Sequence, residues 1–384
     1  MKTKMKPQIT NWLLTGLLLI TAACSTTKHL PEEELLYTGT PSPQIMGYTP
    51  EDEGEATLEE VKGALNVAPN NSFFGHPNFR IPFPLGLWVY NGFERYEKGI
   101  GKWIFKKLAA DPIYISTVNP ETRTKIASNL LRENGFFQGN VTVKVDTAKN
   151  PKKAKLRYTI YTGQRYKLDS ISYVGFSKKA DSLIQKTYDK RLLKKEEAFS
   201  VNTLNAERDR LVELFRNNGY YFYRSDFITF LADTLIHPGY VSLKVVQKQN
   251  IPEEGLRTYY IGKTRINLIG YNGEQPNDSL NFHNFTIGYA GNKPGIRYGV
   301  LRRRFLYKSG EIYSQTRQNY TQQALSRLGV FKFNDFKYTP RPGKDTLDIT
   351  VNAMFDLPYD SELELNVTTK STKQTGPGAK FNLA

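Results

Sequence analysis

The side chains that could do chemistry are few and far apart in this 384-residue sequence. The four histidines, His29, His76, His237 and His283, form no HExxH pair and have no second ligand at helical spacing, so we expect no metal site. The single cysteine, Cys24, excludes an internal disulfide, a zinc ribbon and a CxxC redox centre. There is no GxSxG elbow and no phosphate-binding P-loop. The sequence therefore predicts a protein that is not an enzyme and needs no cofactor.

Cys24 follows a segment that is typical of an export signal. Three lysines precede an apolar run over 12–20, and three small residues then lead to the cysteine. This run would cover roughly 14 Å as a helix, about half of a bilayer core, so a signal peptide over 1–23 is favoured over a transmembrane helix. The residues before Cys24 resemble a bacterial lipobox, which implies that Cys24 is acylated and anchors the chain to a lipid bilayer. A secretory signal without lipidation is the alternative.

The chain is strongly basic, with 53 Lys and Arg against 37 Asp and Glu and a formal net charge of +16. Such a balance is generally associated with nucleic acid or with an anionic membrane surface. Export to a compartment without nucleic acid argues against the first partner. We therefore expect no nucleic acid and favour attraction to anionic head groups near the lipid anchor.

Three segments repeat one order of elements: a short strand ending in Ser, an amphipathic helix, a Gly, an aromatic strand and an alternating strand. The three Ser–Gly pairs are Ser116 with Gly135, Ser200 with Gly219, and Ser314 with Gly329. The first two pairs are 19 positions apart and the third is 15 apart, a difference of about one helical turn. We expect each Ser to cap its helix and each Gly to end it in the left-handed conformation. The switch of period from 3.6 to 2 after each Gly predicts an antiparallel hairpin.

A strand closing on Gly and a further helix precede the second and third of these helices. The strands end at Gly175 and Gly270, and the helices are predicted over Lys178–Lys190 and about 298–307. The predicted unit is thus β-α-α-β-β, and the fold class is α+β with three tandem units. The third unit carries an insertion at about 271–297, which we expect to be a surface loop.

This arrangement resembles tandem POTRA domains, the periplasmic modules of the BamA/TamA family of outer-membrane barrel assembly factors. The junctions Gly163-Gln-Arg-Tyr166 and Tyr260-Ile-Gly262-Lys263 match that family's pattern, and the start Cys24-Ser-Thr-Thr-Lys-His-Leu-Pro31 looks like its Bacteroidetes lipoprotein branch. The resemblance implies POTRA-like domains at 24–163, 164–252 and 257–355, and the first one or two strands of an outer-membrane β-barrel at 360–384. Two strands cannot close a barrel, so we expect a fragment of a longer protein. A periplasmic lipoprotein acting alone is the alternative.

The resemblance also implies a function at the outer membrane, with the domains facing the periplasm. Unfolded outer-membrane client proteins would add an extended segment to an exposed sheet edge and pass to the barrel. In the family the second strand of each unit is an edge, so the candidate client-binding residues are Phe227, Phe230, Phe331, Phe333 and Phe336. These aromatic residues could equally be core. The alternative function is a non-catalytic scaffold that bridges the outer membrane to a periplasmic or inner-membrane-spanning partner.

Two further features attract attention. The run Arg302, Arg303 and Arg304 is predicted to be a basic surface, which could contact barrel turns. The stretch 72–103 is rich in Phe, Trp, Pro and Gly. Core packing of an enlarged first domain is the favoured interpretation of that stretch, and a partner or membrane-interface surface is the alternative.

Overall fold

The computed structural model describes residues 27, 30–50, 53–72, 76, 79–81, 83–147, 150–357, 361–369 and 375–383. The predicted signal peptide and Cys24 lie outside the described residues. The chain divides into two compact units. One contains the described residues up to 171 with 193–204 and 232–243, and the other contains 172–192, 205–231 and the described residues from 244 onwards. Across these ranges, no helix combines the length and the apolar character that crossing a membrane requires.

The first module is built around a central strand, β4, and its described residues form five helices. Its elements are β1 (Leu36–Tyr37), β2 (Gln44–Met46), α1 (Glu55–Leu65), α2 (Leu85–Phe93), α3 (Gly99–Leu108), α4 (Ile115–Val118), α5 (Pro120–Glu133), β3 (Asn140–Thr147) and β4 (Lys153–Tyr161). Strand β3 pairs antiparallel with β4, while β1 and β2 pair parallel with β4 along its other side. Tyr37, Leu65, Leu131, Phe136 and Leu156 are buried in the core of this module.

The second module contains the predicted helix pair and a three-stranded sheet. Its elements are β5 (Lys167–Val174), α6 (Lys178–Lys186), a 3-10 turn (Tyr188–Lys190), α7 (Val201–Asn217), a second 3-10 turn (Ser225–Phe227), β6 (Ile228–Asp233) and β7 (Tyr240–Gln247). The strand order is β5-β7-β6. The last strand is therefore central, as in the first module.

The third module has the same connectivity around a larger sheet. Its elements are α8 (Glu253–Leu256), β8 (Tyr260–Ile269), β9 (Asp278–Phe282), β10 (Phe285–Tyr289), α9 (Tyr298–Arg304), α10 (Gln315–Ser326), β11 (Phe331–Pro340) and β12 (Thr346–Phe355). The strand order is β11-β12-β8-β10-β9, with β12 antiparallel to β11 and parallel to β8. A separate antiparallel pair follows, β13 (Ser361–Thr369) with β14 (Thr375–Leu383).

The shared connectivity confirms the predicted α+β class and the β-α-α-β-β repeat. The three glycines that follow the second helices all adopt positive φ, at 92° for Gly135, 99° for Gly219 and 68° for Gly329. Left-handed backbone costs glycine little, so each helix can end there and release the chain into a strand. Ser314 caps α10 as predicted, by accepting a hydrogen bond from the Arg317 N–H.

The prediction for Ser116 is wrong. Ser116 lies inside α4, and its hydroxyl donates a hydrogen bond of 2.6 Å to the Glu34 carboxylate. Asn119 caps α5 instead, by accepting from the Thr122 N–H. Pro120 fixes the first turn of α5, so the residue just before it becomes the cap.

The insertion at about 271–297 is not a loop, which corrects a second expectation. It contains β9 and β10, and β10 pairs parallel with β8 to extend the sheet. Phe285, Ile287 and Tyr289 alternate along β10 and are buried in the core of the third module. The sequence does carry a period-2 signal at β10, where apolar residues alternate over five positions, but it stands inside a polar stretch that favoured a loop.

The aromatic stretch 72–103 contributes little to a core, so the favoured interpretation of that stretch is wrong for most of its described residues. Leu87 is buried, but Phe79, Phe83 and Trp103 are exposed. Phe73 and Phe74 lie outside the described residues. The exposure of these rings favours the alternative, a partner or membrane-interface surface.

Candidate functional site

The second strand of each module lies at a sheet edge, as the resemblance implied. Among the described strands, β11 has one neighbour, β12, and β6 and β3 likewise each pair with one strand. The backbone N–H and C=O groups that point away from that neighbour have no ladder partner among the described strands, and such a row can pair with an added strand. At ten residues, β11 is the longest of the three edges.

A β-bulge decides which aromatic residues of β11 face outwards. Phe331 is opposite Phe355 and Phe333 is opposite Met354, so the register shifts between them. One extra residue in a strand reverses the facing of the side chains after it. Phe331 is therefore buried, whereas the side chain of Phe333 is on the outer face and 47% exposed. Phe336 returns to the core face, where it is half-buried beside Phe305.

The aromatic residues around β6 are mostly engaged. Phe227 lies in the 3-10 turn before the strand and is buried, with its ring 5.4 Å from that of Tyr223. Phe230 is half-buried beneath the Arg208 guanidinium, which lies 4.9 Å from the ring centroid. Leu231, the next residue, is the exposed apolar side chain of this edge. The core interpretation that the sequence left open thus applies to Phe227 and Phe331, and Phe333 alone among the five candidates is exposed.

The outer face of β11 also carries features that protect sheet edges. Lys332 and Lys337 are exposed on this strand, and Pro340 ends it. Charged side chains, a bulge and a proline all discourage uncontrolled pairing of one edge with another. Any strand that adds to β11 must therefore accommodate these side chains.

One main-chain clamp is built around Gly135, in the unit that contains the first module. The Gly135 carbonyl accepts a hydrogen bond of 2.9 Å from the Tyr166 N–H, and the Tyr166 carbonyl accepts one of 2.9 Å from the Phe199 N–H. The Phe137 ring lies 5.0 Å from Tyr166 and 4.9 Å from Phe199. A Cβ on Gly135 would lie 3.0 Å from the Phe199 carbonyl oxygen, so both the close approach and the positive φ require glycine.

The same clamp recurs around Gly219 in the other unit. The Gly219 carbonyl accepts a hydrogen bond of 2.8 Å from the Tyr259 N–H, and the Tyr259 carbonyl accepts one of 2.9 Å from the Tyr313 N–H. The Tyr221 and Tyr313 rings are 4.9 Å apart. Burial raises the pKa of Tyr313 to about 12, and its hydroxyl lies 2.7 Å from Gln318 Oε1. The clamp therefore carries no group that changes charge near neutral pH.

Glu207 on α7 is a buried carboxylate that the sequence did not single out. Its two oxygens accept hydrogen bonds from the Tyr173 hydroxyl at 2.7 Å, from the Leu192 N–H at 2.9 Å and from the Arg210 guanidinium at 2.6 and 2.8 Å. Burial and this carboxylate raise the pKa of Tyr173 above its usual range. The carboxylate is fully satisfied by these partners, so it ties α7 to the segment before it and is not placed as a general acid.

The predicted basic surface forms the end of α9. Arg303 and Arg304 are exposed. Arg302 is half-buried, and its guanidinium donates a hydrogen bond of 3.2 Å to the Phe305 carbonyl. An open pocket of about 540 Å³, lined by Arg302 and by several aromatic residues, lies beside this end. Among the residues that the structure describes, no group of three or more His, Cys, Asp or Glu could hold a metal ion.

Comparisons with known proteins give similarities to solved structures only. No family model and no curated protein sequence matches the chain. POTRA domains 3 to 5 of Haemophilus influenzae BamA are similar, with a TM-score of 0.36 and 13% identity over 85% of this chain and 99% of that one. BamA of Haemophilus ducreyi lacking POTRA domains 1 to 3 has a TM-score of 0.36 and 15% identity, and the match covers 52% of this chain and 31% of that one. The N-terminal domain of Omp85 from Thermosynechococcus elongatus has a TM-score of 0.24 and 14% identity, and the match covers 85% of this chain and 100% of that one. TM-scores this low carry no argument about function.

Proposed function

We propose that this chain is the periplasmic region of an outer-membrane assembly or transport factor, which binds unfolded client chains at a sheet edge and delivers them to a following β-barrel. The observation that carries the proposal is the repeated edge: three modules share one connectivity, and each has its second strand at the side of its sheet. The family resemblance of the sequence supports the same role. In this proposal acylated Cys24 anchors the region at the outer membrane.

Strand β11 is the best candidate for the client site. An added strand would bond to its outer main-chain groups, which places little demand on client sequence. Each such hydrogen bond contributes about 1 kcal/mol net, so four or five of them give weak and reversible binding. Exposed Phe333 offers an aromatic contact to alternate client side chains. Weak, sequence-tolerant binding is what transient holding of many clients requires, and it consumes no fuel.

Site-specific photocrosslinking tests this proposal. A photoreactive phenylalanine analogue at position 333 is expected to capture unfolded outer-membrane barrel chains in cells. The matched control is the same analogue at Tyr320, which is also exposed and aromatic in the third module but lies on α10. Capture of clients at 333 and not at 320 supports the proposal. Equal capture at both positions, or none at 333, contradicts it.

The scaffold function remains a second candidate because Lys332, Lys337 and Pro340 protect the edge of β11 from pairing. A scaffold would meet one folded partner, such as a periplasmic or inner-membrane-spanning protein, through a surface that does not accept strands. The same crosslinking distinguishes the two functions. A single discrete product at 333, of one molecular mass and independent of client synthesis, favours the scaffold.

A further inference from the structure

The helical insertion, defined here as α2, α3 and their connection (residues 85–108), presents an apolar stripe to solvent. On α3, Ile100 is 78% exposed, Trp103 is 61% exposed and Leu108 is 59% exposed. Spacings of three and eight residues put them on one face of the helix, with half-buried Ile104 between them. No residue of α3 is buried. Apolar surface of this kind on a short helix is unfavourable in water unless something covers it.

The stripe is not used to hold the insertion together. Contact between α2 and α3 comes from another face of α3, where the Phe105 ring lies 5.5 Å from that of Tyr90. Gly101 permits close approach of the connection, since a Cβ there would lie 2.7 Å from Tyr96 Cγ. The Gly86 carbonyl accepts a hydrogen bond of 3.0 Å from the Ala110 N–H, which joins the start of α2 to the segment after α3. The insertion is thus a helical hairpin whose own contacts leave the apolar stripe of α3 exposed.

The charges on α3 and on Lys98, which precedes it, are all positive, whereas the connection before them carries Glu94 and Glu97. Lys98, Lys102, Lys106 and Lys107 are exposed, and the sequence has no Asp or Glu from 98 to 108. None of these lysines forms a salt bridge with a described carboxylate. A helix with Trp, Ile and Leu on one face and lysines beside them matches the composition of helices that lie in a membrane interface. Lysine side chains can reach the head groups while their carbon stems cover apolar surface.

We propose that the helical insertion binds the surface of an anionic phospholipid bilayer, with Ile100, Trp103 and Leu108 in the interface and the lysines among the head groups. This contact goes beyond the proposed function, because it needs neither a client nor acylated Cys24. Charge argues for this occupant: four unpaired lysines match a surface of negative charge. A second copy of this chain, at a formal net charge of +16, would bring like charges together.

Vesicle flotation tests the proposal on the chain from residue 24 onwards, with Cys24→Ser present in every protein. Neither acylation nor the lysines and apolar run of the predicted signal peptide, which include Trp12, can then contribute. The probes are vesicles of phosphatidylethanolamine and phosphatidylglycerol at 3:1, and vesicles of phosphatidylcholine alone. The double variant Ile100→Glu, Trp103→Glu is expected to lower partitioning into the anionic vesicles by about a hundredfold, because two interfacial side chains are lost. Its matched control is Leu235→Glu, Ile236→Glu, which alters two exposed apolar residues elsewhere in the same way.

A double variant that removes two lysine charges measures the electrostatic contribution to vesicle binding. Lys102→Gln, Lys106→Gln is expected to weaken binding to anionic vesicles by roughly tenfold or more at low salt. The matched pair Lys178→Gln, Lys179→Gln, on exposed positions of α6, should change it little. Urea midpoints of all variants should equal that of the parent, since every altered side chain is exposed.

Fluorescence identifies the inserted residue, because brominated acyl chains quench tryptophan only at membrane depth. Quenching in the parent that disappears in Trp103→Phe supports the proposal. It is overturned if the parent does not float with anionic vesicles, if it floats equally with phosphatidylcholine, or if the control pairs fall as far as the test pairs. A concentration-dependent dimer that Ile100→Glu, Trp103→Glu abolishes, without any flotation, would make a second copy the occupant and also overturn it.

Discussion

Two insertions enlarge this protein, and they differ in what covers their apolar residues. The strand insertion (β9 and β10, residues 278–289) adds to the side of β8 and buries Phe285, Ile287 and Tyr289. The helical insertion forms a hairpin that leaves Ile100 and Trp103 exposed. The first was inserted beside a free sheet edge, which supplies main-chain partners and a core face. The second lies between the helices α1 and α4 in the sequence, and its described residues 85–108 pair with no described strand. Position in the module therefore decides whether an insertion becomes core or surface.

The largest expected effect is a loss of stability when a buried residue of the strand insertion is truncated. Ile287→Ala should lower the free energy of unfolding by about 2 to 4 kcal/mol, because it leaves a cavity beneath β10. Ile100→Ala, the matched change in the helical insertion, should alter it by less than about 0.5 kcal/mol. Urea denaturation measures both. Similar losses for the two variants would show that the helical insertion is packed after all.

A second prediction concerns how the helical insertion is fastened at its ends. Asn70 donates hydrogen bonds to the carbonyls of Tyr37 (2.8 Å) and Ile113 (3.0 Å) and accepts one from the Ile113 N–H (2.8 Å). Asn70→Ala removes the side-chain partner of the Tyr37 carbonyl and of the Ile113 N–H, while the Ile113 carbonyl still accepts a hydrogen bond of 3.0 Å from the Tyr37 N–H. The change should cost about 1 to 3 kcal/mol.

The control for that prediction is Asn71→Ala, which removes one side-chain hydrogen bond, to the Ile81 carbonyl. It should cost clearly less in the same urea titration. Hydrogen exchange supplies a local measurement: amides of α2 and α3 should exchange faster in Asn70→Ala. Unchanged exchange there would mean that the ends of the insertion are held by other contacts.

The smallest expected effect is a pH dependence of the strand insertion. The Tyr289 hydroxyl donates to Asp278 at 2.7 Å, and with the Ser279 N–H it holds the pKa of Asp278 below its usual value. A lowered pKa in the folded state adds stability above the ordinary carboxyl pKa, and that stability is lost as pH falls through the lowered value.

Asp278→Asn should therefore be less stable than the parent at pH 7, and the difference should shrink as the solution is acidified below about pH 4. Urea midpoints at several pH values measure it. Asp335→Asn, an exposed carboxylate on β11, is the control. A difference in stability that stays constant with pH would show that the charge of Asp278 does not stabilise the strand insertion.

The repeat was predictable because its signals are local. A Ser or Asn before a helix and a Gly after it act through their own backbone, so Gly135, Gly219 and Gly329 mark helix ends whatever surrounds them. The outward turn of Phe333 was not predictable, since a bulge depends on the register with β12. Strands β9 and β10 were missed for a related reason: β10 is stabilised by pairing with β8, which lies before the insertion, and β9 is stabilised by pairing with β10.

The two glycine clamps have a consequence for how such a chain changes over time. Each is closed by N–H and C=O groups around a single glycine. Side chains add ring contacts and a few hydrogen bonds, such as those that Asn217 accepts from the Ser314 hydroxyl and the Thr316 N–H. Substitutions can therefore accumulate on both sides of a clamp while the connector between consecutive modules persists. A duplication that copies one module together with its glycine also copies the means of attaching it, so arrays of different length need no new connector.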